Sequence, residues 1–208
     1  MTHISSPAEP TQMDKKLMSC LQAHVFSQMD GGSLTVIVHA GNNDYIRFVH
    51  SLISRFLKAR QCVIVFDYHR RIKLLYLRHL LQTGTSDITP SENRLFLRVI
   101  LDETHALDEL IRLQRRTLST KRPSILIMVD PSGLFGRQRG GVKQSAQALE
   151  LQYEAAKSFA QKGYAVLVTD FGGRQFHRIE SIVPSQLAYS ANLVLQFLPR
   201  KIILSNFQ

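Results

Sequence analysis

The segment with the clearest chemical meaning is His39–Ile46, which follows the apolar, β-branched run Leu34–Val38. A loop after such a strand binds phosphate when it has the form G-x-x-x-x-G-K-[ST]. Its amides wrap the phosphates, its lysine neutralises them and its hydroxyl holds magnesium. Here the lysine and hydroxyl are absent, and Asp44 stands where positive charge is needed and is expected to cap the following helix. This degenerate loop, Gly41, Asn42, Asn43 and Asp44, is expected to bind no nucleotide, so the chain is predicted not to be an enzyme.

A second chemical signal is Asp130, which directly follows the apolar run Ser124–Val129. An aspartate at such a strand end can hold magnesium beside a nucleotide. Many buried strands also end in aspartate because its side chain favours turns, and Pro131 supports that reading. Without the lysine loop, we interpret Asp130 as a structural remnant of a Walker B aspartate.

Two basic segments after predicted strands are candidate DNA contacts. The first is rich in glycine and flexible enough to follow a phosphate backbone. The second carries Phe176 among cations, which suits single-stranded DNA because a base can stack on the ring. Solvated arginines, and a Phe176 that folds back on the core, remain alternatives. The residues assigned to DNA contact are Arg137, Arg139, Lys143, Arg174, Phe176 and Arg178.

The composition agrees with a protein that meets polyanions. There are 26 Lys and Arg against 16 Asp and Glu, a net charge of +10. Such an excess favours nucleic acid first, then an acidic protein or an anionic membrane surface. A further basic cluster, His69–His79, could face DNA, a partner or only solvent. In that cluster we expect Arg71 and Arg78 to share a helix face, with the apolar Ile72, Leu75 and Tyr76 inward.

Other site classes find little support. The eight histidines show no metal-ligand spacing and the two cysteines form no zinc pattern, so no metal and no cofactor are expected. Ser132 lacks the G-x-S-x-G context of a hydrolase nucleophile.

No apolar run approaches the roughly 18 residues that span a bilayer, and the N-terminus has no apolar signal region. We expect an intracellular protein without a membrane partner, in the nucleus if eukaryotic and the cytoplasm if prokaryotic.

The elements that must position these residues alternate along the chain. Helical spacing predicts helices over Thr11–Asp30, Asp44–Arg60, Arg70–Gln82, Thr104–Leu118 and Val142–Lys162. Short apolar runs predict strands over Leu34–Val38, Cys62–Phe66, Leu95–Leu101, Ser124–Val129 and Tyr164–Thr169. Two last runs, Asn192–Leu198 and Lys201–Leu204, predict a hairpin. The alternation predicts an α/β fold: a mostly parallel sheet with helices on both faces and a C-terminal antiparallel hairpin.

The order of these elements resembles the core of the RecA/RadA recombinases, over roughly residues 34 to 206. The similarity is best from Ile125 onward, where Val129–Phe135 looks like the family's Asp-Ser-x-x-x-Leu-[FY] strand end. Arg137–Gly141 resembles the family's first DNA-binding loop, and Ala165–Thr169 resembles its next core strand. The closing segment, from Ser185 to Lys201, resembles the family's basic hairpin turn.

The sequence also departs from the motifs of this family. The first loop lacks the nucleotide-binding lysine, Asp170 replaces the Asn-Gln pair after Thr169, and no catalytic glutamate follows the second strand at Asp67-Tyr68. The resemblance therefore implies a non-catalytic recombinase paralogue with a degenerate Walker A loop. It implies a role in homologous recombination and DNA repair, weak binding of single-stranded DNA, and a recombinase or paralogue subunit as partner in a hetero-oligomer.

The domain organisation follows from the same reading: a disordered tail over residues 1–10, an N-terminal helix over 11–30 and a RecA-like domain over 31–208. Two alternatives stay open. One is a structural interaction protein without DNA contact, and the other is an atypical nucleotide-binding ATPase.

Overall fold

A computed structural model describes residues 12–29, 31–40, 43–82, 94–117, 124–135, 142–171, 187, 190–198 and 201–206. The helices are α1 (Gln12–Gln28), α2 (Asp44–Lys58), α3 (Leu74–Gln82), α4 (Glu103–Thr117), α5 (Pro131–Phe135) and α6 (Val142–Gln161). The strands are β1 (Leu34–His39), β2 (Cys62–Asp67), β3 (Leu95–Val99), β4 (Ser124–Val129), β5 (Ala165–Phe171), β6 (Leu193–Leu198) and β7 (Lys201–Asn206). None of the helices in these ranges is long and apolar enough to cross a membrane.

The strands form one seven-stranded sheet in the order β3-β2-β4-β5-β1-β6-β7. Neighbouring strands are parallel from β3 to β6, and β6 pairs antiparallel with β7. All six residues of β1 are buried, as expected for a strand covered on both faces. The predicted class, a mostly parallel α/β sheet closed by an antiparallel hairpin, is confirmed.

Two hydrophobic cores lie on opposite faces of the sheet. One packs α1, α2 and α3 against strand residues such as Ile37 and Ile127, and the other packs α4 and α6 against their alternating neighbours Val38 and Met128. Right-handed crossovers explain this division. The connections that lead toward the β3 edge contain α2 and α3, which lie on one face of the sheet. The connections that lead in the opposite direction contain α4 and α6, which lie on the other face.

Two segments differ from the sequence prediction. Helix α3 begins at Leu74, not Arg70, because the carboxylate of Asp67 holds the preceding backbone in a tight loop. The segment after Asp130 begins with the short helix α5, whose first residue is Pro131. Proline suits this position because the first helical N–H has no partner within the helix. The predicted tail, residues 1–10, lies outside the described residues.

A glycine turn connects α6 to β5. Gly163 has a φ of +91°, its N–H donates to the carbonyl of Ala160, and the N–H of Tyr164 donates to the carbonyl of Phe159. These paired bonds form the Schellman motif that ends many helices, and the rings of Phe159 and Tyr164 pack edge to face over it. The turn fixes the start of β5, the strand that carries Thr169 and Asp170.

Candidate functional site

The polar residues at the carboxyl ends of β1, β4 and β5 lie side by side. These strands are neighbours in the sheet, and the helices that follow β1 and β4 cover opposite faces. Ligands of open α/β sheets bind at such a point, where the outgoing connections diverge. His39 ends β1, Asp130 follows β4, and Thr169 and Asp170 lie near the end of β5.

Asp130 is the centre of the first hydrogen-bond group. Its carboxylate accepts from Nε2 of His39 at 2.7 Å, from the hydroxyl of Tyr45 at 2.6 Å and from Oγ1 of Thr169 at 2.9 Å. An ionised carboxylate only accepts, so Nε2 of His39 must carry the proton of this bond. The backbone of Asp130 has a φ of +57°, a left-handed conformation that aspartate tolerates better than most residues.

The charge of Asp130 is stabilised within the protein. Burial by itself would raise the pKa of its carboxyl, but the hydrogen bonds and charge of His39, with the hydroxyls of Tyr45 and Thr169, hold that pKa below its ordinary value. Nε of Arg71 adds positive charge 3.8 Å from the carboxylate. Burial raises the pKa of Tyr45, and the charge of Asp130 raises it further, so the phenol remains a donor. Asp130 is therefore a buried anion whose oxygens already have donors.

The two aromatic donors also fill space beside Asp130. The imidazole of His39 and the phenol ring of Tyr45 are parallel, with centroids 3.5 Å apart. Both residues are almost completely buried. Together with Thr169, these donors occupy three of the roughly four lone-pair positions of the Asp130 carboxylate.

Asp170 is the centre of a second hydrogen-bond group on the other face of β5. Its carboxylate accepts hydrogen bonds from the hydroxyls of Ser132 and Tyr153 and from the N–H of Phe171. Burial raises the pKa of the Asp170 carboxyl to about 7, and the nearby charge of Asp130 contributes to the increase. The protonation state of this group therefore changes near neutral pH.

Asp67, at the end of β2, has a structural role. Its two carboxylate oxygens accept from the backbone N–H groups of His69, Arg71 and Ile72 at 2.8 to 3.1 Å. The residue is fully buried. These hydrogen bonds therefore shape the loop before α3.

Two predictions about neighbouring residues are wrong. Asp44 does not cap α2, because Asn43 is the N-cap residue, without a side-chain cap bond, and Asp44 is the first helical residue. Arg71 does not share a helix face with Arg78, because Arg71 precedes α3 and approaches Asp130 instead.

Most of the predicted DNA contacts lie outside the described part of the chain. Arg137, Arg139, Arg174, Phe176 and Arg178 lie outside the described residues, as do Gly41 and Asn42 of the degenerate loop. Lys143 belongs to α6, near its first residue. Asp130 is the predicted residue that the structure places at the centre of the site.

The partners of Asp130 and Asp170 leave little signal in the sequence. His39 and Tyr45 precede Asp130 by 91 and 85 residues, and Thr169 follows it by 39. The spacing of Tyr45 in the first turn of α2 gives no indication that its hydroxyl reaches β4. The one local signal was that His39 and Asp130 both follow apolar strands, whose carboxyl ends meet at one edge of a parallel sheet.

Comparison of the sequence with protein-family models and with curated proteins found no match to either.

Proposed function

We propose that this protein is a non-catalytic RecA-like accessory protein of homologous recombination and DNA repair. In this role it binds DNA weakly and associates with a recombinase or a recombinase paralogue. The observation that carries the non-catalytic part is the group around Asp130, where His39, Tyr45 and Thr169 satisfy the carboxylate that would otherwise serve a metal–nucleotide complex.

Hydrogen bonds to a charged group each contribute about 1.5–3 kcal/mol, so a magnesium ion that displaced a donor from this carboxylate would cost at least one of them. The degenerate loop also has no lysine that would offset this cost by neutralising a phosphate. Asp44, exposed in the first turn of α2, adds negative charge near the same edge.

The DNA-binding part of the proposal is supported by charge and by the family resemblance. A net charge of +10 favours polyanions, and the arginines of the two basic segments suit phosphate contacts. Binding of this kind is weak, independent of sequence and steeply dependent on salt.

Two measurements test the proposal. Titration calorimetry with ATP and magnesium chloride should show no binding, and micromolar affinity would favour the atypical ATPase. Fluorescence anisotropy with an oligodeoxythymidine of about 30 nucleotides should show binding that weakens by about a hundredfold or more as salt rises from 50 to 200 mM.

Two double variants distinguish DNA contacts made by the first basic segment from a general effect of net charge on DNA affinity. Arg137→Glu with Arg139→Glu should reduce DNA affinity by at least about tenfold, because each reversal removes a phosphate contact and adds repulsion. Arg47→Glu with Arg115→Glu makes the same charge change at exposed positions of α2 and α4 and should have a much smaller effect. Equal losses in the two double variants would remove the assignment of the first basic segment.

The structural interaction protein remains a second candidate because α3 exposes apolar side chains, with Leu75 80% exposed. It predicts no DNA binding at about 50 mM salt, together with a stoichiometric protein partner.

A further inference from the structure

Helix α3 presents apolar residues to solvent. Leu74 is 50% exposed, Leu75 is 80% exposed and Tyr76 is 40% exposed, whereas Leu77 and Leu81 are buried. The expectation that Leu75 and Tyr76 face inward is therefore wrong. A single exposed leucine is ordinary on a protein surface, but three consecutive exposed apolar residues give this turn of the helix an apolar surface of the kind that binds other molecules.

The apolar residues of this patch are surrounded by basic side chains. Arg78 and His79 follow Leu75 by three and four residues, so they lie beside it on the helix surface, and both are exposed. Arg70 and Lys73 are exposed in the loop that leads into α3. Residues 68–82 contain four arginines and lysines and no aspartate or glutamate. We call the surface formed by Arg70, Lys73, Leu74, Leu75, Tyr76, Arg78 and His79 the α3 patch.

The helix that carries the α3 patch is fixed to the body of the protein. The Lys58 ammonium donates to the carbonyl of Leu80 at 2.8 Å, and the N–H of Lys73 donates to Nε2 of His50 at 2.9 Å. The ring of Tyr76 packs edge to face on His50, with centroids 5.2 Å apart. A partner would therefore meet a preorganised surface and lose little free energy in ordering it.

We propose that the α3 patch docks an acidic amphipathic segment of a partner protein. Its apolar side chains would cover Leu74 and Leu75, and its aspartates and glutamates would pair with the surrounding cations. An apolar centre with a charged rim is the usual arrangement of a protein–protein interface. This inference rests on α3 alone and does not depend on the proposed DNA contacts.

Other occupants fit the α3 patch less well. A phosphate backbone would pair with the arginines but would leave the leucines without an apolar partner. A second copy of this chain would bring another +10 of net charge against a basic surface. A membrane would bury only a few apolar side chains here, and stable anchoring requires more apolar area than this patch supplies.

The test is a selection of random peptides displayed on phage, with the full chain as the target. Enriched peptides should combine leucine or aromatic residues with several aspartates or glutamates. Leu75→Ser and Arg78→Glu should each weaken a representative synthetic peptide by about tenfold, since one removes the apolar centre and the other reverses a rim charge. Leu151→Ser and Arg115→Glu are the matched controls, at exposed positions on the opposite face, and should change its affinity less than about twofold.

Three results would overturn the proposal. The first is the absence of acidic sequences among enriched peptides, and the second is equal peptide binding by the Leu75→Ser variant. The third is a Leu75→Ser variant that loses affinity for oligodeoxythymidine or for phosphatidylserine vesicles while keeping it for the peptide, which would assign the surface to DNA or membrane. Thermal unfolding of every variant verifies that the exposed substitutions leave the fold intact.

Discussion

The imidazole of His39 lies parallel to the phenol ring of Tyr45, with 3.5 Å between their centroids and 3° between their planes. The two side chains come from the end of β1 and the first turn of α2, and both donate to the carboxylate that follows β4. The pair therefore ties three elements together at the edge of the sheet where a parallel α/β protein would bind its ligand.

The first prediction concerns the charge of Asp130. Asp130→Asn should lower the free energy of unfolding by about 2–4 kcal/mol, because a neutral amide cannot accept from His39, Tyr45 and Thr169 together. Urea denaturation measures the change. Asp108→Asn, at an exposed position of α4, is the control and should have little effect. An Asp130→Asn variant as stable as the parent protein would show that these bonds do not hold the strand ends together.

The second prediction concerns the coupling between Tyr45 and Asp130. Tyr45→Phe should cost about 1–2 kcal/mol in the parent protein, because the ring packing on His39 remains while one hydrogen bond to the carboxylate is lost. The same substitution should cost clearly less in the Asp130→Asn background. Urea denaturation of the four proteins completes a double-mutant cycle, and strictly additive effects would contradict a direct interaction.

The third prediction concerns pH and Asp170. Its carboxyl has a pKa of about 7 in the folded protein and an ordinary value of 3.8, so the folded state binds the extra proton between these values. The stabilisation it gives is complete below pH 3.8 and is lost as the pH rises through 7. In that window the loss approaches ~1 kcal/mol per pH unit.

Asp170→Asn should remove this contribution, so its stability relative to the parent protein should increase between about pH 5 and pH 7. Thermal unfolding across that range measures the difference. Glu154→Gln, at an exposed position of α6, should leave the pH profile unchanged. Parallel profiles for the parent protein and Asp170→Asn would mean that Asp170 is ionised throughout.

The fourth prediction concerns His50, whose effect on stability has the opposite sign. Burial lowers the pKa of its imidazole below the ordinary 6.5, and Lys73 opposes protonation while Asp67 and the carbonyl of Ile46 favour it. The unfolded chain therefore takes up the proton first, and stability is lost as the pH falls below 6.5. His50→Gln should reduce this loss, whereas His79→Gln, at an exposed position, should not. Thermal unfolding of both variants between about pH 7 and pH 5 measures how steeply the stability of each depends on pH.

The fifth prediction concerns the loop before α3. Asp67→Ala should lower the free energy of unfolding by about 2–4 kcal/mol, because it leaves three backbone N–H groups without their acceptor. Asp102→Ala is a useful comparison. It removes one N-cap bond, to the N–H of His105, and should cost about 1 kcal/mol. If the two variants lost equal stability, the three hydrogen bonds to Asp67 would contribute no more than a single N-cap hydrogen bond.

Much of the fold could be predicted because its signals are local. The strands are near-continuous apolar runs and the larger helices are amphipathic, so type and order follow from residues that are neighbours in the chain. Helix α3 shows the limit of such signals. Six of its nine residues are apolar, yet a helix on a sheet buries only one stripe. The loop held by Asp67 sets where the helix begins, and thereby which leucines turn inward.

The sequence by itself determined that the phosphate-binding lysine is missing, that the chain is strongly basic and that a parallel sheet brings strand ends to one edge. Only the tertiary structure decided that His39, Tyr45 and Thr169 donate to Asp130, and that Ser132 and Tyr153 donate to Asp170. The physical reason is that motif and composition depend on short stretches of chain. Hydrogen bonds between residues as far as 91 positions apart depend on strand order and on the direction in which each buried side chain points.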